Sequence, residues 1–377
     1  MPNAIVRNSR LDFDLLFPAC ALLFLPMRIS ILVPFLFLTG GIKAMLHYAE
    51  SLQARGHAVT VVAPRLSSAT TVPPSMRIRM GLREWLHTLP GRSPLSWFEL
   101  HVPLNRIPAL DGAYLPPADV TLAADWTTAA ILKPAPHLGR RVVVIQGDES
   151  WNPDAVRVQA GWCTPERRIA ISSRLVAYVA MMTGQAVTGP LIYGVDLNLF
   201  QGRSRPVGSP PRIGLLYHEA AHKGVEDALA AAARLRSNGH YFDLVMYGTR
   251  PRPRHLPQEV EYHRLPLGLR LRDLYRSLDI WLCPSHTEGG PMPPMEAMAC
   301  GVACVSTDVG AVRDYARDGE SVLLSPARDI EALATNLQRL LTDEPLRRRL
   351  ASAGHAAMQR RSWDASAAEL ERLLGDE

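Results

Sequence analysis

One segment of the chain, residues 279–306, predicts a complete unit of strand, loop, helix and strand. Its two ends, DIWLCP and VACVS, are short apolar runs typical of parallel strands buried on both faces. Between them, Gly289 and Gly290 allow the backbone to approach a ligand closely, the proline pair that follows suits a first helical turn, and Gly301 suits a helix end. Open α/β sheets bind ligands at the carboxyl ends of their strands, so this loop predicts a binding site.

Two carboxylates belong to the same segment, Glu288 in the loop and Glu296 in the helix. An isolated glutamate is most often solvated. Glu296, however, is the one charged residue between positions 289 and 307, and a buried carboxylate is costly without a partner. We therefore expect both carboxylates to face one pocket from different depths, where they accept hydrogen bonds from hydroxyl groups.

The remainder of the chain predicts two series of alternating strands and helices. The pattern of strand, helix and strand occurs at residues 29–33, 42–55 and 59–63, and again at residues 212–217, 225–237 and 242–247. Such alternation predicts doubly wound parallel sheets, and 377 residues with 47% hydrophobic content suffice for two cores. The predicted domains are residues 27–190 and 191–361, followed by a terminal helix at residues 362–377.

The N-terminal residues 1–26 are predicted to be an extension outside the fold. The apolar run at residues 15–27 is shorter than the ~20 residues of a membrane span. Two aspartates precede it, and no small-residue cleavage site follows before the first strand. Residues 67–117, rich in proline and arginine, are expected to form a variable region with one or two helices.

The net charge of +5 comes almost wholly from arginine, because Lys43, Lys133 and Lys223 are the only lysines. Arginine clusters at residues 167–168, 250–254 and 347–349 are either solvated helix faces or contacts for anionic membrane surfaces and phosphate-bearing acceptors. None interleaves aromatic residues, so we expect no nucleic-acid partner. The five cysteines show no paired metal spacing, which favours free thiols in a reducing cytoplasm.

The segment around Glu288 and Glu296 closely resembles the signature of the retaining glycosyltransferases of family 4, also called group 1. Four further segments resemble that family in its order: GGIKAMLHYAESLQARGHAVTVVAP, YGVDLNLF, HKGVEDAL and DGESVLLSP. The resemblance implies an α/β protein of the GT-B fold, with two doubly wound Rossmann-like domains facing across a cleft. It also implies an N-terminal acceptor domain, a C-terminal nucleotide-sugar donor domain, and a last helix that packs back on the N-terminal domain.

The resemblance also implies the site residues. Lys223 approaches the donor diphosphate and Glu288 holds donor-sugar hydroxyl groups, so these two are the catalytic candidates, while Glu296 holds the ribose. The remaining donor-binding candidates are main-chain groups of the two glycine loops, at Gly289, Gly290, Pro291, Met292, Gly40 and Gly41. A plain tight turn is the alternative for Gly40 and Gly41.

Two positions depart from the family pattern. His218 stands where the family has an arginine that shares the diphosphate, and histidine cannot supply a guanidinium fork. Ala124 stands where many members have a histidine. Asp125 and Trp126 are candidates for the acceptor side in its place, although Asp125 equally suits the cap of a helix at residues 127–132.

The expected function is transfer of a hexose or deoxyhexose from a nucleotide-diphosphate sugar to a glycan or lipid-linked acceptor, with no metal ion and no cofactor. The setting implied is bacterial cell-surface polysaccharide or glycoconjugate biosynthesis, in the cytoplasm or at the inner face of the cytoplasmic membrane. Two alternatives stay open. One is a nucleotide-sugar epimerase of the same fold, and the other is a nucleotide-sugar-binding protein with weakened catalysis.

Overall fold

The computed structural model describes residues 25–65, 95–202 and 210–375. Within these residues the chain forms two parallel six-stranded sheets, each flanked by helices. The predicted extension lies outside the described residues up to position 24, and so does most of the apolar run at residues 15–27. The predicted variable region is described only from Leu95 onward.

The N-terminal domain is a doubly wound sheet with strand order β3-β2-β1-β4-β5-β6. Its strands are β1 (Arg28–Leu32), β2 (Ala58–Pro64), β3 (Leu104–Ile107), β4 (Val120–Ala123), β5 (Arg140–Ile145) and β6 (Arg167–Ala170). Its helices are α1 (Gly40–Ala54), α2 (Trp126–Ala129), α3 (Ala155–Cys163) and α4 (Ser173–Thr183). Strand β4 is buried throughout, as expected for a strand covered on both faces.

The C-terminal domain repeats this strand order, as β12-β11-β10-β7-β8-β9. Its strands are β7 (Arg212–Leu216), β8 (Asp243–Gly248), β9 (Glu261–Arg264), β10 (Ile280–Cys283), β11 (Ala303–Thr307) and β12 (Leu323–Ser325). Its helices are α5 (Val225–Ser237), α6 (Leu269–Arg276), α7 (Met292–Ala299), α8 (Val312–Tyr315), α9 (Ile330–Thr342) and α10 (Glu344–Met358), and α11 (Trp363–Gly375) ends the described chain. The unit β10, α7 and β11 is the strand, helix and strand predicted from the opening segment.

Each sheet reverses its winding direction beside its first strand, between β1 and β4 in one domain and between β7 and β10 in the other. Ligands of open α/β sheets bind at such switch points, outside the carboxyl ends of the strands. The loops that follow these four strands contain Gly40, Asp125, Lys223 and Glu288 or lead directly to them. The topology therefore brings the predicted site residues to one end of each sheet.

Helix α11 packs against α1 of the N-terminal domain. The hydroxyl groups of Tyr48 and Ser366 are 2.8 Å apart, and the Ser366 hydroxyl also donates to the main-chain carbonyl of Ile192. The chain crosses between the domains twice at adjacent points, because the Val195 N–H donates to the Arg361 carbonyl at 2.7 Å. The two crossings form one connection between the domains.

Several arginines of the predicted clusters are structural. Arg168 and Arg347 are buried, and their guanidinium groups donate to main-chain carbonyls, as Arg168 does to Pro165 and Arg347 to Leu340. Arg252 likewise donates to the carbonyl of Val260. The expectation of solvated helix faces or ligand contacts is therefore wrong for Arg168 and Arg347, whereas Arg252 is exposed. Among the described helices, none has the length and apolar character needed to cross a membrane.

Candidate active site

A cavity of about 1140 Å³ lies between the two domains, at the carboxyl ends of the central strands. Loops that follow β1, β4 and β5 form one wall, and loops that follow β7 and β10 form the other. The predicted site residues all line this cavity: Gly40, Gly41, Asp125, Trp126, His218, Lys223, Glu288, Gly289, Gly290, Pro291, Met292 and Glu296.

Lys223 and Glu288, the two catalytic candidates, form an ion pair in the C-terminal wall. The Lys223 Nζ atom lies 2.8 and 2.9 Å from the two carboxylate oxygens of Glu288, and the Ser285 hydroxyl donates to the first of them at 2.8 Å. The pair fixes a cation and an acceptor carboxylate side by side. Such a wall can meet a phosphate and a neighbouring hydroxyl group at the same time.

Gly224 allows the approach that makes this pair. It joins the 3₁₀ turn Ala221–Lys223 to α5 with φ of 66°, a left-handed conformation that favours glycine. A Cβ atom at this position would lie 2.0 Å from the carbonyl oxygen of Pro284. The loops after β7 and β10 therefore touch through the bare backbone of Gly224.

Glu296 has the partner that its burial requires, and that partner comes from the other domain. Its side chain is 7% exposed, and its Oε1 atom lies 2.6 Å from Nζ of Lys43 in α1. The Tyr275 hydroxyl donates to Oε2 at 2.9 Å. Burial first, and the Glu296 carboxylate second, raise the pKa of Tyr275 well above its usual value, so the tyrosine stays a donor. Lys43 is a site residue that the sequence analysis did not assign.

His218 is a neutral hydrogen-bond donor rather than a cation. Its Nδ1 atom accepts from the Ala220 N–H at 3.0 Å, which places the ring proton on Nε2. Burial first, and the Lys223 ammonium second, lower the pKa of His218. The structure therefore gives this position one donor toward the cavity wall, as expected for a histidine in place of an arginine.

Asp125 caps helix α2, so its carboxylate has the structural role that the sequence left open. It accepts from the Thr128 N–H at 2.9 Å and from the hydroxyl groups of Thr127 and Thr128. The helix begins at Trp126 and is shorter than the predicted span of residues 127–132. Trp126 is buried and lines the cavity.

Gln146 lies at a close contact between the two domains, and the sequence analysis gave it no role. Its amide donates to the Ala124 carbonyl at 2.6 Å and accepts from the Tyr193 hydroxyl at 2.5 Å. A Cβ atom at Gly289 would lie 1.8 Å from the Gln146 carbonyl oxygen. Glycine at position 289 therefore serves close contact between the domains, and its role in ligand access stays a prediction.

The two helix starts at the cavity differ in the donors they offer. Helix α1 begins at Gly40, and the Thr39 hydroxyl accepts from the Ile42 N–H, which leaves the first glycine N–H groups toward the cavity. Helix α7 begins at Met292 with prolines at its next two positions, and prolines have no N–H group. The N–H donors near the start of α7 are therefore those of Gly289, Gly290 and Met292, and their contact with a ligand stays a prediction, whereas α1 begins with two glycine N–H groups.

Comparisons with known proteins give a family for the C-terminal half of the chain and relatives for more of it. Residues 207–357 match the family model described as glycosyl transferases group 1. A D-inositol 3-phosphate glycosyltransferase of Thermomonospora curvata is 30% identical over 251 residues, which are 55% of this chain and 57% of that protein. A phosphatidyl-myo-inositol mannosyltransferase of Mycobacterium tuberculosis is 27% identical over 92% of this chain and 96% of that protein. The chain spans 24%, 57% and 38% of the length of the first three curated relatives it matches.

The fold also matches solved structures. Anabaena Alr3699/HepE in complex with UDP-glucose superposes with a TM-score of 0.67 at 16% identity, over 92% of this chain and 99% of that chain. At this identity the likeness concerns the fold, which is the GT-B arrangement of two Rossmann-like domains. The match to the group 1 glycosyl transferases lies in the C-terminal half of the chain, at residues 207–357.

Proposed function

We propose that this chain is a retaining glycosyltransferase of family 4 that transfers a hexose or deoxyhexose from a nucleotide-diphosphate sugar. One observation carries the proposal: the Lys223 and Glu288 pair shares a cavity with the glycine start of α1 from the opposite domain. An ammonium group and a helix N-terminus are suited to a diphosphate, and a carboxylate is suited to sugar hydroxyl groups.

In the proposed reaction, the bond between the anomeric carbon and the diphosphate oxygen breaks, and negative charge builds on the departing phosphate. Lys223, the N–H groups at Gly40 and Gly41, and the Nε2–H of His218 stabilise that charge. Glu288 holds the sugar by its hydroxyl groups. The acceptor hydroxyl forms its bond to the anomeric carbon on the face that the phosphate leaves, and its proton passes to the departing oxygen, which retains the configuration.

The proposed chemistry uses the protein's own cations and main-chain dipoles in place of a metal ion and requires no cofactor. The sequence contains an Asp-x-Asp triplet at residues 12–14, and such triplets often bind metal. That triplet belongs to the predicted extension and lies outside the described residues. The proposal therefore rests on Lys223 and on the start of α1.

For the acceptor, we propose a glycan or a lipid-linked glycoconjugate of the bacterial cell surface. The relatives named above act, by their names, on inositol phosphate and phosphatidylinositol, and both names describe hydroxyl acceptors on a polyhydroxylated ring. The proposed location is the cytoplasm, with peripheral contact at the inner membrane surface when the acceptor is lipid-linked.

The test is incubation with UDP-glucose, GDP-mannose and related donors, with detection of released nucleoside diphosphate and of the anomeric configuration of any product. Glu288→Ala is expected to lower transfer by at least about 100-fold, because it removes a group that positions the sugar in the transition state. Glu320→Ala, at a carboxylate whose side chain is 68% exposed, is the matched control and keeps full activity.

Each alternative has its own outcome in this experiment. Full activity of Glu288→Ala would show that Glu288 has no part in the mechanism. A product of inverted anomeric configuration would contradict the proposed retaining mechanism. Formation of an epimer of the donor without transfer favours the epimerase. Tight nucleotide binding without turnover favours the weakened binding protein, for which His218 and Ala124 are the motivating residues.

A further inference from the structure

The loop after β5, residues 147–152, has features that the donor site does not use. It carries Glu149, Trp151 and Asn152 on the N-terminal wall of the cavity. Trp151 is 57% exposed, although large aromatic side chains are mostly buried. Glu149 holds φ of 53°, a left-handed conformation that is strained for a residue with a long side chain.

The indole of Trp151 and the carboxyl of Glu149 lie on the same side of this loop. A Cβ atom at Gly147 would lie 3.0 Å from Cη2 of Trp151 and 3.6 Å from Oε1 of Glu149, so both groups converge over Gly147. One face of the indole stacks on His222 of the opposite domain, with centroids 5.9 Å apart and planes 15° apart. The remaining indole surface and the carboxyl therefore adjoin each other at the cavity.

Glu149 differs from the acidic residues beside it. The Asp125 carboxylate caps helix α2 by accepting from the Thr128 N–H. The Asp148 carboxylate accepts from the Ser150 hydroxyl and, across the cleft, from the Thr287 hydroxyl. Within the described part of the chain, the Glu149 carboxyl has no hydrogen-bond or ion-pair partner. Its capacity to bind hydroxyl groups is thus available to a ligand.

We propose that the loop at residues 147–152 is the acceptor subsite, and that it takes a polyhydroxylated ring, a sugar or a cyclitol. Glu149 binds ring hydroxyl groups, and the open surface of Trp151 covers the apolar face of the ring. This inference rests on the proposed function, because it assigns the acceptor side of the same transfer. It also accounts for the strained backbone at Glu149, which turns the carboxyl toward the cavity.

The protonation of Glu149 fits this role. Burial first, and the carboxylates of Asp125 and Asp148 second, raise the pKa of Glu149 to about 8. A protonated carboxyl has one O–H donor and keeps acceptor capacity, so it can pair with both the hydrogen and the oxygen of ring hydroxyl groups. The ion pair of Lys223 and Glu288 involves neither Glu149 nor Trp151.

Saturation-transfer NMR on the full chain tests the proposal, with UDP or GDP present and with methyl α-D-glucopyranoside, methyl α-D-mannopyranoside and myo-inositol as probes. We expect the wild type to bind at least one probe. Glu149→Gly and Trp151→Ala are each expected to weaken that binding by about tenfold or more, with nucleotide affinity unchanged. Glu149→Gly also relieves the left-handed backbone, so its loss of binding does not come from misfolding.

Glu320→Gln and Tyr241→Ala are the matched controls, an exposed acid and an exposed aromatic residue outside the cavity lining. Two results would overturn the subsite: none of the three probes binds the wild type in the presence of a bound nucleotide, or the variants bind as the wild type does. Failure of every nucleotide to bind the wild type overturns the proposed function instead, and the subsite with it.

Discussion

The Nζ atom of Lys43 in α1 lies 2.6 Å from Oε1 of Glu296 in α7, and this ion pair joins the two domains inside the cavity. The other oxygen of Glu296 accepts from the Tyr275 hydroxyl. Each oxygen of the carboxylate that the family resemblance assigns to the donor ribose therefore already accepts one hydrogen bond from the protein. A bound ribose must share Glu296 with Lys43 or take its place, which couples nucleotide binding to the contact between the domains.

Removal of the ammonium group from this pair is expected to destabilise the protein. Lys43→Met leaves a carboxylate with 7% side-chain exposure without its counter-charge, and the expected cost is about 1–3 kcal/mol because Lys43 is partly solvated. In the double variant with Glu296→Gln, part of that cost is recovered. Urea unfolding of the wild type, both single variants and the double variant measures the coupling, and strictly additive effects would contradict the ion pair.

Ribose recognition by Glu296 predicts discrimination between a nucleoside diphosphate and its 2′-deoxy analogue. The wild type is expected to bind the ribose form about tenfold more tightly, since the missing hydroxyl removes one hydrogen bond to a carboxylate. In Glu296→Gln, the ratio of the dissociation constants of the 2′-deoxy and ribose forms is expected to fall toward one. Calorimetric titration of UDP or GDP against the deoxy form gives both ratios, and an unchanged ratio in the variant would assign the ribose to another residue.

The sequence predicted those parts of the fold whose residues form a recognisable pattern within one short segment. The unit of β10, α7 and β11 was confirmed because strands buried on both faces appear as continuous apolar runs, and glycine and proline mark the turns between them. The edge strand β9, with sequence EYHR, was not predicted because its residues are half-exposed or exposed and form no apolar run. The edge strand β3 was not predicted for the same reason.

In the site, the sequence did not predict contacts between residues that are far apart in the chain. The Lys223 and Glu288 candidates came from motifs, whereas the partner of Glu296 is 253 positions away in the other domain. The contact of Gln146 with Gly289 likewise depends on how the domains pack. The scarcity of lysine was the one signal that pointed to Lys43, since only three occur in the chain.

The raised pKa of Glu149 predicts a stability that depends on pH. Because its folded pKa of about 8 lies above the ordinary value of 4.5, the contribution of Glu149 is complete below pH 4.5 and is lost as pH rises through 8. Glu149→Gln is therefore expected to match the wild type near pH 4.5 and to exceed it by several kcal/mol at pH 9, because each unit of pKa difference corresponds to about 1.4 kcal/mol. Thermal unfolding at both pH values checks this, and a variant that is less stable at pH 9 would refute it.

Gly224→Ala is expected to damage the C-terminal domain severely. The new Cβ atom would lie 2.0 Å from the Pro284 carbonyl in a left-handed conformation, and we expect a loss of more than about 3 kcal/mol. Gly239→Ala is the matched control, because its φ of 84° is equally left-handed but nothing lies within 4 Å of the added atom. That control should cost only about 1 kcal/mol. Similar thermal midpoints for the two variants would contradict the close approach at Pro284.

The terminal helix α11 is expected to depend on Glu371 for its attachment to the N-terminal domain. The Glu371 side chain is 4% exposed and pairs with Arg55 and His57, each at 2.6 Å. Since the Met27 N–H donates to Nδ1 of His57, the proton of that ring is on Nε2 and points to Glu371. Glu371→Gln weakens both contacts in a buried site, for an expected loss of about 2–4 kcal/mol.

Glu369 in the same helix provides the control for this prediction. It pairs with Arg372 at 2.7 Å, but the two side chains are 40% and 52% exposed, so Glu369→Gln should change stability by no more than about 0.5 kcal/mol. Thermal unfolding together with limited proteolysis of the C-terminal segment separates the two variants. Equal behaviour would mean that apolar packing of α11 on α1, through residues such as Trp363 and Leu370, holds the helix without its buried ion pairs.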